Sequence, residues 1–204
     1  MSKRFFTADW HLGSQLLLDE KLMKEDVRPF KSVEKMDAAI LRSAHQRARY
    51  DDTIIHVGDL ACYGKDRGHA GLEIKPFEIV SKIPATFVNI RGNHDLHNSV
   101  KSVCDSMRIH LGKRFPCVSV SHYPSTDPHS FGQWLPGDIH ICGHVHRKWK
   151  YMLDVKHKVL NINVGVDVWN YQIVSEDELI KYIDKILRDS RMHIVSSIKN
   201  KETT

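Results

Sequence analysis

Short apolar runs, each stopping at a cluster of polar, coordinating side chains, recur along this chain. Phe5 to Ala8 is the first, and Asp9-Trp10-His11 ends it. Thr53-Ile54-Ile55-His56-Val57 ends at Gly58-Asp59, and Thr86-Phe87-Val88 leads through Asn89-Ile90-Arg91 into Gly92-Asn93-His94-Asp95. Cys117-Val118-Ser119-Val120-Ser121 ends at His122, and Ile139-His140-Ile141-Cys142 at Gly143-His144-Val145-His146. Their β-branched and aromatic content and their length predict strands, with Val159 to Val164 as a later one.

Between them the period changes. Val33, Met36, Ile40, Ala44 and Ala48 recur three and four residues apart behind Ser32, which predicts a capped helix to about Tyr50 with Glu34 in its first turn. Pro76 starts a helix to about Ile83, and Val100, Val103, Cys104 and Met107 predict another amphipathic helix. Ser175 and Glu178 form a capping box that opens a helix from Glu176 to about Leu187. Leu16 to Pro29 reads as loop with some helix. Tyr63 to Lys75 reads as an exposed loop whose glycines match neither phosphate-binding spacing. The alternation predicts one α/β domain over residues 1–188, and 189–204 a polar, Lys-rich tail.

Composition adds bounds. No run of 18 apolar residues occurs, so no membrane span is expected. The first strand begins at once, which leaves no room for a signal peptide, and the four cysteines fall in no C-x-x-C pair. Both point to a cytoplasmic, reduced protein. The net charge of +5 suits an anionic substrate but is spread along the chain, so nucleic acid is not the favoured partner. The 14 histidines matter more, because imidazole is the commonest metal ligand.

Five strand ends carry Asp9 with His11, Asp59, Asn93 with His94, His122, and His144 with His146. Residues two apart in extended backbone share a face, so Asp9 and His11, like His144 and His146, can point to one spot. The number of donors fits two divalent metal ions. Asp9, His11 and His146 suit one, Asn93, His122 and His144 the other, and Asp59 is left to bridge them. Two cations about 3.5–4 Å apart suit in-line phosphoryl displacement.

The ordered set Asp9-Trp10-His11, Gly58-Asp59, Gly92-Asn93-His94-Asp95, His122 and Gly143-His144-Val145-His146 resembles the signature of the calcineurin-like metallophosphoesterases. Arg28-Pro29-Phe30, Ser121-His122-Tyr123-Pro124 and Asn163-Val164-Gly165-Val166-Asp167 look like a small bacterial and phage subgroup of predicted phosphoesterases. Members of that subgroup often carry a further histidine where Ser14 stands. The resemblance implies an α/β sandwich of two central β-sheets flanked by helices, the same division of ligands, and His94 as the catalytic histidine.

The expected reaction is hydrolysis of a phosphate ester, a diester of a small or nucleotide-like substrate before a monoester. Metals activate a water, and His94 protonates or stabilises the leaving oxygen. The ligand mix allows manganese, iron, zinc or nickel. Asp95 either orients His94 or caps a helix, and Arg91 either holds substrate phosphate or pairs with a surface acid. Trp10, Phe131 and Trp134 are candidates for an aromatic wall beside Arg147, Lys148 and Lys150, a combination suited to a base and its phosphate. A nuclease of the same superfamily and an inactive binding protein on this fold are the alternatives.

Overall fold

The computed structural model describes residues 2–66, 69–130, 132 and 134–199, the side chains of 65, 66, 69, 70 and 190–199 excepted. In chain order the elements are β1 (Arg4–Thr7), α1 (Glu20–Met23), α2 (Val33–Arg47), β2 (Thr53–Val57), β3 (Lys65–Asp66), β4 (His69–Ala70) and α3 (Pro76–Val80). There follow β5 (Thr86–Ile90), β6 (Ser106–Leu111), β7 (Phe115–Ser121), β8 (Ile139–Cys142), β9 (Tyr151–Asp154), β10 (Val159–Asn163), β11 (Val174–Ser175) and α4 (Glu176–Lys199). One sheet has the order β11-β1-β2-β5 and a second β6-β7-β8-β10-β9, while β3 and β4 pair as a small ribbon. β1, β2 and β5 are mutually parallel, as are β7, β8 and β10, so each sheet has a parallel centre.

Alternation along the strands builds two cores. Phe6, Ile55, Val57 and Ile90 face Val118, Val120, Ile141 and Ile162 between the sheets, and α4 adds Leu179, Ile183 and Ile186. Phe5 and Ile54, one residue out of phase, face the other way onto Met36, Ile40 and Ala44 of α2 and Val80 of α3. Each such aliphatic side chain contributes roughly 1.5–3 kcal/mol on burial. The result is an α/β sandwich of two sheets. On the outer face of the second sheet, His140 and Asn161 are met by Trp134 and Ser125 from the loop that follows β7. Among the described residues no helix is long and apolar enough to cross a membrane.

Five features differ from expectation. Val100 to Met107 forms no helix; the chain makes a 3-10 turn at Asp95–Asn98 and then enters β6. The apolar positions there run on to Ile109 and Leu111 with period two, and the hairpin to β7 outweighs the helical spacing. β9 was not anticipated, although Tyr151 and Leu153 alternate within it. α3 stops at Val80, and α4 continues past Leu187 to Lys199. Trp10 is fully buried in the core under α2 and α3, its Nε1 donating to Thr7 Oγ1 at 2.7 Å, and so forms no wall at an open site.

One polar contact ties α2 to the end of β1. Gly13, left-handed at φ 82°, donates its N–H to Asp37 Oδ2 at 2.9 Å. Burial pushes the Asp37 carboxyl up to about 7, against the opposing pull of the Gly13 amide and Arg28. The unfolded chain releases this proton near 3.8 and the folded one near 7. Folded protein therefore binds more protons across that window, and stability falls as pH rises through it, by about 4 kcal/mol at most. Asp37→Asn keeps the acceptor without the titration. Urea unfolding at pH 4.5 to 8, a range set by roughly these two pKa values, is expected to show a shallower decline for Asp37→Asn than for wild type. Parallel declines would exonerate Asp37.

Candidate metal centre

The ends of β1, β2, β5, β7 and β8 bring the sequence-predicted ligands to one edge of the sandwich. Ligand atoms of Asp9, His11 and His146 lie within 4.8 Å of one another, and so do those of Asp9, Asp59 and His122. Asp59 Oδ2 stands 3.6 Å from His11 Nε2 and 3.2 Å from His122 Nε2, between the two groups. Asn93 Oδ1 joins the second group, 2.9 Å from His122 Nε2 and 3.0 Å from His144 Nδ1. Both carboxylates thus touch both halves. Asp59 has one oxygen facing an imidazole of each, and Asp9 belongs to both clusters.

The backbone reaches this arrangement by an unexpected route. Asp9, His11, Asp59, His144 and His146 have φ of 56°, 46°, 60°, 70° and 47°, in the left-handed region. Asp9 with His11, and His144 with His146, therefore converge by turning and not by sharing a face of an extended strand. Such conformations cost of order 1–3 kcal/mol each in a non-glycine residue, and persist only where surroundings enforce them. Here the enforcement is visible. A Cβ on Gly92 would lie 2.2 Å from Asp59 Oδ1 and 2.3 Å from the Asp59 amide nitrogen, so only glycine admits Asp59. Asp59 Oδ1 accepts the His94 amide at 2.9 Å, and both oxygens of Asp9 accept the His144 amide at 3.0 Å.

A buried cation and two carboxylates supply the rest. Arg28, 1% exposed, donates to the carbonyls of Asp9 and Trp10 and pairs with Asp167 at 2.8 Å. Asp167 Oδ2 lies 3.7 Å from His146 Nδ1. The sequence marked Arg28 and Asp167 only through the subgroup resemblance; nothing in their spacing brings residues 139 apart together. Asp95 is fully buried and accepts from the amides of Gly92 (2.8 Å), Leu60 (2.9 Å) and Asp59 (3.2 Å) and from Asn89 Nδ2 (3.2 Å). It makes no bond to the His94 ring and caps no helix, since it begins a 3-10 turn. Its carboxylate knots the ends of β2 and β5 together.

The outer ring nitrogens of His122 and His144 each face an oxygen. His122 Nδ1 is 2.8 Å from Val57 O, and His144 Nε2 is 3.6 Å from Asp127 Oδ2, which leaves His122 Nε2 and His144 Nδ1 facing Asn93. A carbonyl or carboxylate behind a histidine fixes the ring and its tautomer for metal binding. His11 Nε2 and His146 Nδ1 are buried without a hydrogen-bond partner, which costs free energy unless something else meets them.

The electrostatics match. Burial would raise the Asp59 carboxyl, but the positive His122 beside it and the neighbouring imidazoles hold it well below the usual range. Burial likewise opposes charge on His122, yet Asp59 pushes that imidazole up to about 9. Asp9 is raised to about 6 by burial, against the pull of His146 and His122. Burial holds His11 well below its ordinary value and, with His122, lowers His144 to about 4. Buried carboxylates among imidazoles, of which His11 and His144 are held unprotonated, with unmet ring nitrogens, form a donor set that divalent ions fit.

The remaining candidates do not join this cluster. The His94 ring is half-buried, 5.4 Å from that of His11, beside the ligands and not among them. Arg91 pairs with Asp105 at 2.9 Å, and Arg147 donates to the Glu25 carbonyl at 3.0 Å. Trp134 packs on His140 with ring centres 4.6 Å apart, on the outer face of the second sheet. Lys150 sits 3.5 Å over the Trp169 ring. Phe131 lies outside the described residues. The aromatic wall beside cations is therefore not assembled from Trp10 and Trp134.

No family model matches the chain. It is 26% identical over 95% of its length to the whole of the Gene 66 protein of Mycobacterium phage L5. It is 28% identical over 91% of its length to 93% of an uncharacterized protein of Methanocaldococcus jannaschii. Among solved structures it is similar to a protein of unknown function from Aquifex aeolicus, with a TM-score of 0.64, 23% identity, and coverage of 89% of this chain and all of that one. That likeness establishes a shared fold.

Two outcomes are expected. Asp59→Asn lowers metal occupancy of both groups, whereas His11→Ala lowers chiefly the one it shares with Asp9 and His146, as elemental analysis of dialysed, reloaded protein would register. Near-wild-type loading of Asp59→Asn would leave Asp9 as the shared carboxylate. Arg28→Met strands the buried Asp167 charge and is expected to cost about 3–5 kcal/mol in urea unfolding, with Arg28→Met/Asp167→Leu recovering part of it. No recovery in the double variant would mean that the bonds from Arg28 to the Asp9 and Trp10 carbonyls, and not its pairing with Asp167, dominate.

Proposed function

We propose that this chain is a dinuclear-metal-dependent phosphoesterase that hydrolyses phosphodiester bonds in a small or nucleotide-like substrate. The observation that carries the reading is Asp59 Oδ2, set between imidazoles of two ligand groups, with a histidine ring that is not a ligand close by. A single structural ion needs no shared carboxylate, and a binding protein needs no spare imidazole at the edge of its ions. The intact donor set speaks against an inactive scaffold.

Divalent ions held by Asp9, His11, Asp59, Asn93, His122, His144 and His146 would supply Lewis acidity toward the phosphoryl oxygens and lower the pKa of an attacking water. Manganese heads the candidate metals, with iron, zinc and nickel behind it. The protein's own part is positional. Asp59 and Asp9 balance charge, Asp95 and Arg28 hold the backbone that carries them, and His94 delivers a proton to the leaving oxygen or stabilises its charge. The fixed His94 amide, bonded to Asp59 Oδ1, keeps that ring at a set distance from the ligands. Asp95 acts as a positioning residue through this backbone and not as a partner of the His94 ring.

With manganese, hydrolysis of bis(4-nitrophenyl) phosphate is expected to exceed that of 4-nitrophenyl phosphate. His94→Ala should keep its metal and lose about 10²–10⁴-fold in kcat with alkoxide leaving groups, and least with nitrophenolate, which needs little protonation. Equal losses across leaving groups would assign His94 to electrostatic stabilisation. A metal-loaded protein inert toward diesters, monoesters and DNA would overturn the proposal.

A further inference from the structure

A cleft of about 280 Å³ adjoins the ligand cluster on the side of Asn93 and His122. One wall is Leu96, 72% exposed, on the 3-10 turn Asp95–Asn98 that directly follows His94. Tyr123 forms another, its ring edge-on to those of His122 at 5.4 Å and His144 at 4.7 Å. Together the two side chains offer an apolar surface to whatever fills the cleft.

The far end is the Arg91–Asp105 ion pair, 2.9 Å apart with both side chains about half exposed (50% and 52%). Because the guanidinium is already matched by a carboxylate, that end is neutral overall. A second phosphate would have to displace Asp105, so the cleft does not select a diphosphate. What the pair offers is a donor beside an acceptor at fixed spacing, the complement of a ring edge that carries an acceptor beside a donor. Nucleobases present such edges. The volume lies at the lower limit of small-ligand pockets, roughly 300–1,000 Å³, which fits one nucleoside and not a strand.

Direction follows from the ligands. The His94 ring meets His11, of the first group, whereas the cleft opens from Asn93 and His122, of the second. With His94 at the leaving oxygen, the cleft takes the leg that stays on phosphorus. We infer that it is the subsite for a retained nucleoside, with Leu96 and Tyr123 packing on the base and Arg91–Asp105 reading its edge. This rests on the phosphodiesterase reading above.

The test compares thymidine 5′-(4-nitrophenyl phosphate) with methyl 4-nitrophenyl phosphate on the manganese-loaded full chain. Both release the same leaving group, so the ratio of their kcat/KM values isolates the retained leg. The wild-type ratio is expected to be well above one, and to fall about tenfold in Leu96→Ala, the scale of losing one apolar contact in a pocket. Asp105→Asn, which removes the charged acceptor, is expected to lower it as well. Both side chains are exposed, so neither change threatens folding. A wild-type ratio near one, or one that survives both substitutions, overturns the nucleoside subsite while diester hydrolysis stands. Hydrolysis of neither ester overturns the phosphodiesterase reading, and the subsite with it.

Discussion

Two carboxylates buried among imidazoles set the terms for the rest of this structure. Asp59 is 2% exposed and Asp9 fully buried, at the ends of neighbouring parallel strands. Removing such charges from water costs several kcal/mol each unless positive charge and hydrogen bonds replace the lost solvation. Amides of His94 and His144 supply the hydrogen bonds. For positive charge there are two sources, a proton on His122 or a divalent cation between the ligands. The elevation of His122 to about 9 expresses the first. It also marks the place where the second competes, because a ligating imidazole must be neutral.

That requirement explains where conformational strain is stored. Five candidate ligands are left-handed, and glycines stand wherever a neighbour must leave room: Gly92 against Asp59, and Gly143 and Gly165 against Asp9 Oδ2. Strand ends turned this sharply would relax were they not tied from behind. Asp95 gathers three amides from β2's end and the Gly92 turn, and Arg28 grips the two carbonyls between Asp9 and His11. Neither touches an expected ion. Their burial makes the geometry expensive to lose, so a substitution at Arg28 or Asp95 acts on the ligand cluster through the backbone.

How much of this was legible follows from range. The strand-ending clusters could be read because each is local and every one closes an apolar run, and the pattern gave one α/β domain, while the two-sheet sandwich came from the family resemblance alone. The convergence of Asp9 with His11 was foreseen for the wrong reason, since the left-handed backbone at both replaces the shared face of an extended strand. The Val100 to Met107 helix failed because its last residue, Met107, also belongs to a period-two run through Ile109 and Leu111, and the partner strand β7 decides for the strand. The bonds of Asp95 were not read because two of its partners, the amides of Asp59 and Leu60 just beyond β2, lie 36 and 35 residues away. Trp134 likewise went to His140, a contact made by a loop whose path the local sequence does not specify.

The displacement of Trp134 changes what kind of selectivity the molecule can have. An aromatic wall flanked by Arg147 and Lys150 would have favoured polyanions, with affinity falling steeply as salt rises. In the structure those cations are engaged elsewhere, Arg147 at the Glu25 carbonyl and Lys150 over Trp169, and Arg91 is neutralised by Asp105. The cleft beside Asn93 and His122 is therefore apolar along its walls and uncharged at its end. On the proposed phosphodiesterase reading, charge recognition is then left to the ligand cluster, and discrimination among substrates to the shape and hydrogen-bonding edge of what the phosphoryl group carries.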